Sequence, residues 1–156
     1  MKRLATLSLI LMTVSCAGGG GGSPSTPQPG RGAIAIQVVP NPIMAQRVSG
    51  DTYDFPFEVI VRETGGRPVT VTRVSAEVTA LGGLPVASET YDAARIASLG
   101  YSTNIPANGE LRYRFNPRKS VPDDRLFSAV SAELRVDAVD DNGAPTSART
   151  TVTVRR

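Results

Sequence analysis

From residue 33 onward the chain alternates apolar and polar residues with a period of two, the pattern of strands that bury one face. Within Ala33 to Val39, Ile34, Ile36 and Val38 share one parity, and Pro40-Asn41-Pro42 stops the run. Asp51 to Glu63 predicts one strand, with Phe55, Phe57, Val59 and Val61 on one face and Asp54, Glu58 and Arg62 on the other. A turn at Gly65-Gly66 follows. In Val69 to Ala80 the parity slips: Val69 and Val71 fall on one set of positions, Val74, Ala76 and Val78 on the other. A bulge near Thr72 and Arg73 would bring both sets to one face.

The middle of the chain is less regular. Gly82-Gly83 and Pro85 interrupt it, and Val86 to Leu99 leaves open one or two short strands or a helical turn. Tyr91 to Ile96 permits helix but carries too few apolar repeats to bury a long one. Pro106 to Gly109 predicts a turn into Glu110 to Phe115, where Leu111, Tyr113 and Phe115 oppose Arg112 and Arg114. After a loop around Pro117 to Arg125, Ser128 to Asp140 keeps strict alternation through Val130, Ala132, Leu134, Val136 and Ala138. Asp140-Asp141-Asn142-Gly143 predicts a hairpin turn, and Thr150 to Arg155 a closing strand.

These runs amount to about seven strands with no alternation of strand and helix, so the expected class is all-β and antiparallel. The final hairpin, and the Ile105-Pro106-Ala107-Asn108-Gly109-Glu110 turn leading into an amphipathic strand, resemble bacterial immunoglobulin-like and fibronectin type III-like domains. The resemblance implies an immunoglobulin-like antiparallel β-sandwich over residues 33–156, without the cysteine pair and tryptophan of antibody domains. It implies no activity.

The first 32 residues follow a different logic. Lys2 and Arg3 precede an apolar run from Leu4 to Val14 that is too short to span a bilayer. The run ends at Thr13-Val14-Ser15-Cys16, and Cys16 is the chain's single cysteine. This segment resembles the lipobox of bacterial lipoproteins. The resemblance implies a signal peptide over 1–15, cleavage before Cys16, and acylation of its thiol by palmitate or a similar chain. Ala17, where aspartate would retain a lipoprotein in the inner membrane, implies delivery to the outer membrane. Residues 16–32, rich in Gly, Ser and Pro, read as a lipidated cysteine followed by a disordered, flexible tether.

Composition narrows the function. Loss of residues 1–15 removes Lys2 and Arg3, leaving 15 basic residues against 14 acidic ones and a net charge of about +1. The arginines alternate with acids and form no phosphate-neutralising cluster, which argues against nucleic acid. With one cysteine there is no disulfide framework.

No histidine occurs anywhere, which removes the commonest general base and metal ligand. No Gly-x-Ser-x-Gly elbow appears either. Adjacent carboxylates at Asp123-Asp124 and Asp140-Asp141 point apart on a strand or turn. Asp137, Asp140, Asp141 and Asn142 offer oxygen ligands for a calcium loop, although the EF-hand spacing fails and the same residues suit a turn. Tyr91 and Tyr101 lie in irregular stretches and are the candidate stacking platform for a glycan, with Phe127 also placed for exposure. Phe55, Phe57, Tyr113 and Phe115 read as core. Arg112, Arg114 and Arg118, with Lys119 and Arg125, could form a basic patch for an acidic partner. The expectation is a lipid-anchored, non-catalytic envelope module without cofactors, whose partner is another envelope protein. The alternative is a ligand-binding module for cell-wall glycan or calcium.

Overall fold

A computed structural model describes residues 30–80 and 83–156. The expected signal peptide, Cys16 and all but the last residues of the tether lie outside the described residues.

Seven strands of six or more residues carry the fold: β1 (Ile34–Val39), β5 (Phe57–Glu63), β6 (Val69–Ala80), β7 (Leu84–Asp92), β9 (Glu110–Phe115), β11 (Ser131–Asp140) and β12 (Pro145–Arg155). They form an immunoglobulin-like antiparallel sandwich. One sheet is β1-β5-β9, and the other runs β12-β11-β6-β7. Between the sheets, Val59, Val61, Tyr113, Val71, Leu134 and Val136 are each essentially inaccessible, as period-two strands with one apolar face require. Five shorter strands complete the structure: β2 (Ile43–Met44), β3 (Gln46–Ser49), β4 (Thr52–Asp54), β8 (Asn104–Ile105) and β10 (Arg118–Ser120). Strand β2 pairs in parallel with β12, β8 pairs with the start of β6, and β10-β4-β3 make a small third sheet.

The slip in β6 is a bulge. Asp137 pairs with Arg73 and Ala138 with Val71, so Thr72 has no partner on β11. Thr72 and Arg73 are both exposed, and the apolar residues on either side of them turn inward. Val86 to Leu99 holds both structures that the sequence left open: β7, then a short helix α1 (Ala93–Ser98) capped by the Asp92 carboxylate.

Two expectations change. The predicted strand Asp51 to Glu63 is two strands in two sheets. Pro56 has no N–H to donate, and the Phe55 N–H beside it turns instead to the Pro117 carbonyl at 3.1 Å. The last strand starts at Pro145, not Thr150. Thr146 and Thr150 hide its alternation because the early inward positions carry only the small Ala148 between two threonines, while the ladder to β11 holds the strand throughout.

Two buried carboxylates close one end of the sandwich. Glu63, 3% exposed, accepts from the backbone N–H groups of Ala33, Gly65, Gly66 and Asn108 at 2.6–3.2 Å. Asp140, 4% exposed, accepts from those of Gly32, Asn142 and Ala144 at 2.8–3.1 Å. Together they fasten Gly32 and Ala33, where the chain enters the domain. Gly65 fits there only as glycine, since an added Cβ would lie 2.0 Å from the Arg31 carbonyl oxygen.

Candidate functional site

At the opposite end of β6 the two sheets part. Four inward positions there are small, Ala76 and Ala80 on β6, Ala87 on β7 and Ala132 on β11, with Val78 between the first two. Alanine at these sites leaves space that a leucine or phenylalanine would fill. Across from them stand Phe55, Phe57 and Phe127, and the result is an apolar cleft of about 370 Å³. Val86 and Leu126 line it and are 50% and 40% exposed, so the mouth opens between β7 and the 3-10 turn Asp124–Ser128.

The polar groups of the cleft gather at one side of the rim. The Glu89 carboxylate meets the Lys119 ammonium at 3.1 Å and the Arg95 guanidinium at 3.0 Å. Lys119 chiefly, with Arg95, holds the Glu89 carboxyl below its ordinary range. Arg95 also lies over the ring of Tyr91 at 4.1 Å, and burial raises the Tyr91 hydroxyl pKa. Two cations against one carboxylate give this rim a net charge of +1.

Beside the mouth, β7 is the last strand of its sheet, and no described residue pairs with its outer edge. Leu84 on this edge is 64% exposed. Pro85 suits an edge position because no ladder bond is asked of it. The Arg95 side chain covers the edge at the Thr90 carbonyl, 2.8 Å away, which leaves the stretch from Leu84 to Glu89 open.

The residues singled out from the sequence fall in several places. Tyr91 and Tyr101 form no free-standing platform: both are half-buried, Tyr91 against Phe115 at 4.7 Å and Tyr101 edge-on to Tyr113 at 5.6 Å. The Tyr101 hydroxyl is further held to the Arg114 backbone. Phe127 is buried beside Tyr53, where the 3-10 turn tucks it under the small third sheet. Phe55 and Phe57 are half-buried in the cleft wall, while Tyr113 and Phe115 are core. Burial pushes the Tyr113 hydroxyl up to about 12.

Arg112, Arg114 and Arg118 do project outward, but each meets an acid: Arg112 pairs with Glu58 and Glu110, Arg114 with Glu58, and Arg118 with Asp54. The strand face is therefore a mixed ionic lattice instead of a basic patch. The proposed calcium ligands are likewise engaged by protein donors. Asp137 binds Arg73 and Arg135, Asp140 takes the backbone bonds described above, Asp141 pairs with Arg67, and Asn142 supplies only its N–H to Asp140. Among the described residues no cluster of three acidic, histidine or cysteine side chains converges.

Sequence reasoning missed the cleft, because its cause is the absence of bulk at four alanines from three strands. It also missed the interplay of Asp123 and Asp124. Asp123 caps the 3-10 turn through the Arg125 N–H, whereas Asp124 accepts from the buried Tyr53 hydroxyl at 2.6 Å and pairs with Arg47 and Arg156.

No protein-family model and no curated protein matches the chain. Solved structures do. A structural-genomics target known from its X-ray structure is 10% identical with a TM-score of 0.52, over 81% of this chain and 89% of that one. A candidate ApaA protein from Bordetella pertussis is 13% identical with a TM-score of 0.52, over 83% of this chain and 99% of that one. The CARDB domain of the PF1109 protein from Pyrococcus furiosus, in complex with di-metal ions in that structure, aligns at 14% identity and a TM-score of 0.41, over 83% and 94%. Likeness at such identity concerns fold alone.

Proposed function

We propose that this chain is a non-catalytic interaction module displayed from the bacterial cell envelope, anchored through a lipid on Cys16, that engages an envelope protein along the edge of β7. The observation that carries the reading is the open apolar edge from Leu84 to Glu89. An extended segment of a partner can add to such an edge, its backbone completing the ladder and its side chains supplying selectivity. The placement fits a displayed module, since Gly32 and Ala33 lie by Val69 and Asp140 at one end of β6 and the open edge lies at the other. Eleven residue steps separate Val69 from Ala80, about 36 Å of strand. The lipobox at Thr13-Val14-Ser15-Cys16, with Ala17 after it, supports attachment at the outer membrane.

The glycan and calcium alternatives draw less support, because Tyr91, Tyr101 and the Asp137–Asn142 segment are already engaged within the domain. In-cell photo-crosslinking from position 84, compared with position 112 on the ionic face, tests the proposal when combined with mass spectrometry of the N-terminal peptide. The expected outcome is an acylated Cys16 and one recurrent protein captured from position 84 but not from 112. An unmodified Cys16 refutes the anchor, and equal or absent capture from the two positions refutes the edge.

A further inference from the structure

The cleft itself has a chemistry distinct from the strand edge. Its volume of about 370 Å³ falls in the range of small-molecule sites. Its walls are chiefly alanine, valine and phenylalanine, with Ile43, Leu126, Leu134 and the Tyr91 ring, and they offer few of the two to four polar partners that an ordered water needs. From Ala76 to Ala80 along β6 the floor extends four residues, about 13 Å, the reach of a medium-length alkyl chain. The charged groups lining it are Glu89 and Lys119, and Arg95 stands behind them on Glu89, so two cations meet one carboxylate there. Lys119 is anchored on exposed β10, 48% accessible, and is free to exchange one carboxylate for another.

We infer that the cleft binds a single-chain fatty carboxylate, with its alkyl chain between the sheets on Ala76, Ala80, Ala87 and Ala132 and its carboxylate at Lys119 and Arg95. Burial of the alkyl chain supplies most of the affinity, at about 0.8 kcal/mol per methylene withdrawn from water. The net positive rim selects an anionic head over a cationic one of equal length. This inference uses the interior of the cleft and stands independently of the protein partner proposed for the β7 edge.

Calorimetric titration of the intact chain with decanoate, decanol and decyltrimethylammonium tests it, each below its aggregation concentration. Decanoate is expected to bind one per chain and to raise the melting temperature, with decanol weaker and the cationic amphiphile weakest. Ala76→Leu, which fills the floor, is expected to abolish decanoate binding while retaining the β-type circular dichroism of the parent. Lys119→Glu is expected to weaken decanoate about fivefold, the worth of one exposed ionic contact, and to leave decanol unchanged. Equal affinity for the three amphiphiles, or decanoate binding undiminished by Ala76→Leu, overturns the inference. Should Ala76→Leu fail to fold, Ala87→Leu provides the same readout from the neighbouring strand, and the ranking of the three amphiphiles on the parent chain decides in either case.

Discussion

Glu63 is charged and 3% exposed, and four backbone N–H groups hold it in place. Burial alone would raise its pKa, but those four donors together outweigh the desolvation and hold the carboxyl below its ordinary value of 4.5. Asp140 is lowered in the same way, chiefly by the N–H groups of Gly32 and Ala144. A carboxyl with a depressed native pKa binds fewer protons folded than unfolded, so its stabilisation is present above the unfolded pKa and is lost as pH falls through the native one. Stability to urea is accordingly expected to decline from about pH 5 downward. Glu63→Gln should make that decline shallower and cost roughly 2 to 3 kcal/mol at neutral pH, because an amide cannot accept from all four donors. An unchanged acid slope in this variant would show that Glu63 does not carry the effect.

At the scale of elements, β6 joins two registers in one strand. Because Thr72 is the unpaired residue, its removal would leave Val71, Val74 and Ala76 in simple alternation opposite the same residues of β11. The Thr72 deletion is therefore expected to fold, with a melting temperature lowered by only a few degrees through loss of the Thr72 hydroxyl bond to the Asp137 carbonyl. Deleting Ser75 instead would also consume the bulge, but would turn Val74 outward and Arg73 inward opposite Val136, and should abolish cooperative unfolding. Thermal melts of the two deletions followed by circular dichroism distinguish these outcomes, and similar behaviour of both would contradict the register reading. The same alternation was legible in the sequence, and the parity slip between Val71 and Val74 located the bulge. The break at Phe55-Pro56 was not, since Phe55 and Phe57 keep their parity while the chain changes sheets.

For the molecule as a whole, charge serves solubility more than stability. Arg62, Arg73, Arg112, Arg114 and Arg118 remain more than half exposed in their ion pairs, and pairs of that kind contribute little and are screened by salt. Raising NaCl from low to molar concentration should lower the melting temperature by no more than a few degrees at neutral pH. A large loss would mean that the lattice on β5 and β9 holds the sheet. Stability rests instead on the apolar layer between the sheets, and that layer thins at the end where the alanines form the cleft.

The sequence alone determined the class of fold, because period-two alternation needs only neighbouring residues: Val59 and Val61, or Leu134 and Val136, face one way in any strand. It likewise carried the resemblance of the segment ending at Cys16 to a lipobox, which is linear. Tertiary structure decided everything that depends on residues distant along the chain. Whether Arg112 forms part of a basic patch turns on Glu58, 54 positions away. Whether Asp140 can serve a cation turns on Gly32, 108 positions away. The cleft exists only where Ala76, Ala87 and Ala132 meet, and no single strand records the bulk that its neighbours lack.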